Sequence, residues 1–365
     1  MSGTWGNHIK YSIFGESHGE GIGIVIDRLP AGLLIDFEAV TAEMNRRRPG
    51  GTALGTPRNE ADRFEVLSGV FKGRTSGAPL CALIRNTNQH SKDYEQLRYT
   101  PRPGHADYTA FIKHKGFHDY RGGGHFSGRL TAALVFAGAV AKQLLTLNGI
   151  SIYSHIYQIG TLRDVSFLSA GYKDEQLSLL KASSFPVLNS AMAEPMISAI
   201  EEARAQQDSV GGIVEATVLG LPAGLGDPFF DSIESTLSHL LFSIPGVKGV
   251  EFGDGFSLAA MKGSQAKDEF SYLEGSVVNT ANHNGGILGG ITTGMPLVFK
   301  AAFKPTPSIS QAQNTIRLNT FENTKIEIMG RHDPCIVPRA LPVVEAVAAM
   351  AILDSLSLSK CSEVL

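Results

Sequence analysis

The order of motifs along the chain repeats once, and that repeat limits the possible folds more than any composition figure does. A β-branched run, Gly23-Ile24-Val25-Ile26-Asp27-Arg28-Leu29, ends in Pro30-Ala31-Gly32-Leu33; a second, Gly212 to Leu221, ends in Pro222-Ala223-Gly224-Leu225. Runs of this kind closed by Pro and Gly read as strands entering turns. Each is followed by a helical pattern, 37–48 and 231–243, with Asp36 and Asp231 as candidate N-caps. Gly-x-Thr-Ser/Thr-Gly-x-Pro-Leu comes next, at Gly73–Leu80 and again at Gly290–Leu297, between strands, and reads as a hairpin. Each half closes with an Arg/His-rich island and a long apolar helix, 129–147 and 339–358. The first of these is apolar on most of its faces, so deep burial is expected.

The pattern implies one unit, 1–365, built from two related halves, about 1–150 and 205–365, bridged by a less patterned stretch, 151–204. Strand-helix-strand order with hairpins implies a mixed α/β or α+β architecture, with a site where the halves meet. A Rossmann unit is excluded: Gly19-Glu20-Gly21-Ile22-Gly23 lacks the G-x-G-x-x-G spacing, and a strand comes after it instead of a helix. Forty glycines exceed the roughly 7% of average usage, as many tight turns or close approaches of backbone to ligand would require.

A formal net charge of −3 argues against nucleic-acid binding, which usually needs a basic excess. Three widely spaced cysteines, Cys81, Cys335 and Cys361, fit a reducing compartment and make neither a disulfide framework nor a zinc pattern. The N-terminal segment carries Trp5, Asn7, His8 and Lys10 instead of an apolar run, and no unbroken apolar stretch reaches the ~18 residues of a membrane span. The expectation is a cytoplasmic protein without membrane contact.

Several islands join proton carriers to arginine or glycine. Gly15-Glu16-Ser17-His18-Gly19 formally matches the G-x-S-x-G nucleophile elbow, but the next segment reads as a strand where the elbow needs a helix. It reads otherwise as a plain turn or as a ligand-binding turn with His18 as acid, imidazole titrating near working pH. Arg46-Arg47-Arg48 at a helix end is either a solvated face or a clamp for phosphate or carboxylate. The polar stretch 86–128 holds His90, His105, His114, His118 and His125 without convincing metal-ligand spacing, so no metal is expected. Within it, Arg121-Gly122-Gly123-Gly124-His125-Phe126-Ser127-Gly128-Arg129 leads into a helix, where free N–H groups can hold phosphate. Asn282–Gly290 is a second glycine-rich loop, and Lys304-Pro305-Thr306-Pro307-Ser308 a stiff turn with a cation and hydroxyls that suits either a phosphate or plain surface. In Gly330-Arg331-His332-Asp333-Pro334, Arg331 and Asp333 make either a salt bridge or an anion ligand beside a base.

Together these segments resemble the signature regions of the chorismate synthase family: Gly15–Gly19 running to Pro30-Ala31-Gly32, Gly124–Arg129 with its helix, and Arg331–Cys335. Arg46–Gly50, Arg102–Tyr108, Asn282–Gly290 and Lys304–Ser308 resemble it too, so the likeness covers nearly the whole chain. It implies an α+β fold, a two-repeat β-α-β sandwich with helices packed between outer antiparallel sheets, assembled as a homotetramer. It implies an enzyme converting 5-enolpyruvylshikimate 3-phosphate to chorismate with reduced FMN (FMNH2) and no net redox change, in the pathway to the aromatic amino acids. Carried over by position, His18 protonates the departing phosphate, and His105 meets the flavin ring and stabilises its reduced form. Asp333 assists proton removal through flavin N5, while Ser17 and Ser127 orient flavin or relay protons. Arg48, Arg129 and Arg331 hold substrate anions. FMN contacts fall to Arg47, His125, Phe126, Ser127, Pro245, Gly246, Gly289, Lys304, Pro305, Thr306, Pro307, Ser308 and Arg331. Three departures stand out: His125-Phe126-Ser127-Gly128-Arg129 replaces a commoner Arg-Ser-Ser-Ala-Arg, Ala53 a frequent arginine, and Arg28 a usual glycine. No added segment reads as a flavin reductase, so NADPH is expected to act only indirectly, through an external one.

Overall fold

A computed structural model describes residues 3–49, 61–87, 97–169, 174–328 and 333–362. Gly50, Ala53, His90, Gly330, Arg331 and His332 lie outside the described residues, and with them the roles expected of Arg331. The two β-branched runs are central strands of two five-stranded antiparallel sheets. The first runs in the order Thr4–Trp5, Lys10–Gly15, Gly21–Asp27, Leu80–Arg85, Phe64–Ser68. The second runs Val247–Phe252, Leu297–Phe303, Gly212–Leu219, Ser151–Ile159, Leu162–Arg163. Gly21–Asp27 pairs with Leu80–Arg85, which pairs with Phe64–Ser68; Gly212–Leu219 pairs with Leu297–Phe303, which pairs with Val247–Phe252.

The paired sequence motifs have a structural cause. Thr75 Oγ1 donates to Pro30 O (2.6 Å) and accepts from Leu33 N (2.9 Å), so the threonine of the second motif laces the Pro-Ala-Gly-Leu turn of the first. Thr292 does the same in the other half, donating to Pro222 O (2.7 Å) and accepting from Leu225 N (2.9 Å). Both threonines are buried, where an unlaced turn would leave peptide groups without partners. The second motif is not itself a hairpin, however. Arg74–Thr75 pairs back to Val70–Phe71 and Ile291–Thr292 to Ile287–Leu288, so the Gly-x-Pro-Leu end only leads into the following strand.

Seven α-helices are described: α1 (Phe37–Arg47), α2 (Asp107–Lys113), α3 (Thr131–Thr146), α4 (Asp174–Ala182), α5 (Ala193–Ala205), α6 (Ile233–Leu241) and α7 (Val337–Ser362). Asp36 caps α1 as expected, accepting from Glu38 N and Ala39 N. The cap of α6 is Ser232, not Asp231, which belongs to the short helical turn before it. Helix α3 lies on the first sheet and α7 on the second, and the two pack on each other, with α1 against α3 and α6 against α7. The helices are therefore the filling and the sheets the covers. Gly128–Thr146 and Val337–Ser359, though broken by charged residues, are long and apolar enough to cross a membrane, yet 83% of each window is buried inside the protein. Such helices are the core here.

Where α3 meets α7, a Cβ on Gly138 would lie 2.2 Å from Ala346 Cβ and 2.3 Å from its Cα. Backbone cannot yield as a flexible side chain can. Gly138→Ala is expected to cost roughly 1–3 kcal/mol, toward the upper end, as overpacked cores do. Chemical denaturation of the two proteins side by side measures it, and an unchanged midpoint would contradict the close crossing.

Candidate active site

A cavity of about 770 Å³ opens where the two halves meet. From the first half it takes Arg47, Arg102, His105, Gly122 and the run His125 to Arg129; from the second, Pro245, Gly246, Lys304 to Ser308, Asp333 and Arg339. Most of the expected site residues thus share one wall or another of a single space. Four described ones do not. Ser17, His18 and Gly289 do not line the cavity, and Arg48 faces a smaller pocket of about 300 Å³ beside Lys181 and Arg339. The helical turn explains Arg48: successive residues at the end of α1 point about 100° apart. Arg46 therefore turns inward to Glu345, Arg47 to the cavity and Arg48 to its other side.

Arg47 and Arg129 are both buried, and both are held by one carboxylate that sequence reasoning missed. Asp62 accepts from Arg47 Nη1 at 2.5 Å and from Arg129 Nη1. Its side chain is fully buried, with a left-handed φ of 47°. Burial pushes the Asp62 carboxyl up, but the two guanidiniums outweigh it and hold the group below its ordinary range. Arg47 is pushed down to about 10, first by burial, with Arg339 and Arg129 adding repulsion against the pull of Asp62. A second missed residue, Asn86, accepts from Arg129 Nε (3.2 Å) and donates to Glu16 O and Gly19 O (both 2.9 Å). It ties the Ser17-His18 turn to the arginine.

His18 and Ser17 are buried and do not line the cavity themselves. They stand directly behind Gly122, where an added Cβ would lie 2.1 Å from the His18 ring and 2.7 Å from Ser17 Oγ. Ser17 Oγ lies 3.2 Å from His18 Nδ1 and bonds Arg121 O, while its N–H donates to Gly124 O (3.1 Å). A strand, Gly21–Asp27, comes after the turn, so the serine is no nucleophile elbow. Gly122, Gly123 and Gly124 all have positive φ, which brings the turn against both His18 and His105.

His105 Nδ1 lies 2.6 Å from Asp107 Oδ1, and Arg102 grips the same carboxylate through Nε (2.7 Å) and Nη2 (2.8 Å). Ser127 accepts from Arg129 N (3.3 Å), a local cap at the cavity wall. His125 Nδ1 donates to Gly15 O (2.8 Å), which leaves its other nitrogen for the cavity side. Asp333 pairs with Arg339 Nη1 at 2.5 Å; its expected neighbour Arg331 is outside the described residues.

The walls suit a flavin mononucleotide. Phe126, Ile244, Pro245 and Ile336 give apolar surface for a ring system, and Lys304 and Ser308 give polar groups for a phosphate. Thr306 Oγ1 is buried without a protein partner at the same wall, an arrangement that is costly unless a ligand completes it. The volume falls in the range of small-molecule sites, roughly 300–1,000 Å³.

Arg47, Arg102, Arg129, His105, His125 and Asp333 line one cavity, a set of groups that suits an enzyme acting on a multiply anionic small molecule. The chorismate synthase family model matches residues 9–357. Chorismate synthase of Dehalococcoides mccartyi is 45% identical over 97% of this chain and 96% of its own length. That of Thermococcus kodakarensis is 47% identical, over 96% of each. A crystal structure of a chorismate synthase superposes with a TM-score of 0.76 at 30% identity, over 97% of this chain and 93% of its own. The chain belongs to the chorismate synthase family, whose members are carbon–oxygen lyases.

The site gives a direct test of Asp62. Asp62→Asn leaves two buried guanidiniums without their carboxylate, expected to cost about 3–5 kcal/mol at pH 7. The native pKa is depressed below the ordinary 3.8, so this contribution is present above that value and lost as pH falls through the native one. Wild type and variant should therefore converge in acid. Denaturation at pH 7 and in steps below pH ~4 checks both the gap and its closing.

Proposed function

We propose that this enzyme converts 5-enolpyruvylshikimate 3-phosphate to chorismate and phosphate by anti-1,4-elimination, the last common step toward the aromatic amino acids. What carries the reading is that a full-length family match coincides with a two-half cavity holding arginines, His105 and Asp333 together. A substrate with a phosphate and carboxylates would meet Arg47 and Arg129, whose fork geometry suits both groups. Arg48 and Arg331 remain proposed substrate ligands; Arg48 would have to turn from its own pocket to reach the cavity.

Reduced FMN, when bound, supplies the electron-rich ring that this chemistry needs, without being consumed. Lys304, Thr306 and Ser308 would hold its phosphate, with Pro305 and Pro307 stiffening the turn between them. Phe126, Pro245 and Gly246 would flank the ring, and His105 would face it. Arg47, His125 and Ser127 would complete the contacts, with Gly289 the weakest member because it stands off the cavity wall. His18 is assigned as the acid for the departing phosphate; it would work at the cavity floor, with Gly122 as the thin layer between. Ser17 would orient it. Asp333 is assigned to proton removal, its charge steadied by Arg339.

Beyond the site, the chain is read as one domain of two related halves, on the matched strand order and the matched threonine lacing. A homotetramer in the cytoplasm is proposed, fed with reduced FMN by an external, NADPH-using flavin reductase.

Anaerobic assay of the purified enzyme with reduced FMN should release chorismate and phosphate in equal amounts, and none with oxidised FMN. Flavin binding without product would favour a non-catalytic binding protein, and NADPH-driven turnover by the pure protein would overturn the need for a partner. His18→Ala should lower kcat by roughly 10²-fold or more, and full activity would remove its role as acid.

A further inference from the structure

Arg102 lines the cavity and pairs with the buried Asp107, and none of the proposed roles uses the pair. We infer that Asp107, held by Arg102, is a positioning residue that fixes His105 in the tautomer with its proton on Nδ1 and leaves Nε2 as the nitrogen that exchanges protons at the cavity. The inference deepens the proposed role of His105 and rests on it for its catalytic meaning.

The donor inventory carries the argument. Asp107 accepts from Arg102 Nε (2.7 Å), Arg102 Nη2 (2.8 Å) and the Arg102 backbone N–H (3.0 Å). These donors outweigh the cost of burial and hold the carboxyl far below its ordinary range. An ionised carboxylate only accepts hydrogen bonds. The proton in the 2.6 Å contact between His105 Nδ1 and Asp107 Oδ1 therefore sits on the histidine nitrogen. The Cε1–Nε2 edge of the ring lies against the glycine turn: an added Cβ on Gly123 would be 3.0 Å from His105 Cε1 and 3.1 Å from Nε2. That glycine, with φ of 85°, gives the Nε2 edge its room.

Arg102 also neutralises Asp107, so the pair orients the imidazole and adds little net charge to it. Arg102 Nη2, which can only donate, lies 3.1 Å from Nδ1 and 3.3 Å from Nε2, so with the proton on Nδ1 its ring acceptor is Nε2. The other end of the guanidinium, Nη1, reaches Ser308 Oγ (3.2 Å), and Lys304 Nζ bonds Gly104 O. The turn carrying His105 is thereby fastened to the proposed phosphate loop of the other half. A ligand gripping that loop and a ring held by Asp107 share one rigid frame.

The test is nitrogen NMR of the histidine-labelled enzyme without flavin, with His105→Gln identifying the resonances. In the wild type with a neutral ring, Nδ1 should carry the proton and Nε2 should be bare. Asp107→Asn should shift the ring toward the Nε2–H form and lower kcat by roughly 10²-fold with KM little changed. Asp107→Glu, which keeps a carboxylate beside Arg102, should restore much of both; dispersed resonances in each variant show that it is folded. An Nε2–H wild-type ring, or a tautomer unmoved by Asp107→Asn, overturns the inference. A moved tautomer with unchanged kcat overturns its role in the reaction. Full activity in His105→Gln would instead remove the proposed role of His105, whatever the tautomer.

Discussion

One buried carboxylate in the helical layer governs how the cavity is furnished. Glu345, on α7, accepts from Arg46 of α1 through both guanidinium nitrogens (2.8 Å each), from Lys142 of α3 (2.5 Å) and from Ser154 of the second sheet (2.6 Å). Burial raises its pKa, and the two cations outweigh that, so it stays charged far below the usual carboxylate range. A charge in a layer otherwise filled with alanine, valine and leucine is tolerated only when its lone pairs are met. Meeting them requires α1, α3, α7 and a strand of the second sheet at one point. Because Arg46 is drawn inward there, its neighbour Arg47 is presented to the cavity. The end of α1 is thus aimed by an interaction on the far side of the helix from the chemistry.

The same economy recurs at the N-terminal turn. Asp354, nine residues further along α7, accepts from the backbone N–H groups of Asn7, His8 and Ile9 at 2.7–2.8 Å. These groups precede the Lys10–Gly15 strand, whose end carries the Ser17-His18 turn. Helix α7 therefore positions both the arginine wall and the strand that leads to His18, and at its start it contributes Arg339, the partner of Asp333. An apolar helix with three polar outlets works as the frame from which the site is hung.

Much of this was legible in the sequence, and the rest was hidden for reasons that can be named. The two strand-turn motifs and the long apolar helices followed from residue type and order, and the convergence of His105, His125 and Lys304 on one space from the family resemblance. The shared architecture of the halves was visible because each lacing threonine lies in a recognisable motif. Asp62 and Asn86 were invisible because their bonds to Arg129 cross 67 and 43 residues of chain, and a lone carboxylate or amide carries no local signal. Arg48 and Gly289 stand off the cavity wall, since a motif tells which residue is present and not which way the backbone turns it. His18 illustrates the same limit: the turn is where the sequence suggested, and the ring is one glycine deeper.

The charge balance of the cavity argues for the kind of ligand it receives. Among the described residues, Arg102 pairs with Asp107 and Arg339 with Asp333, while Arg47 and Arg129 share Asp62. Arg47 feels this directly, its guanidinium pushed down to about 10 by burial and by its cationic neighbours. A site in that condition is poorly matched to a neutral molecule and well matched to an anion, which would relieve the repulsion as it binds. Binding energy gained this way is independent of the reacting bond. It is therefore free to hold the substrate against His105 and Asp333 while the chemistry is left to the proton carriers and the cofactor.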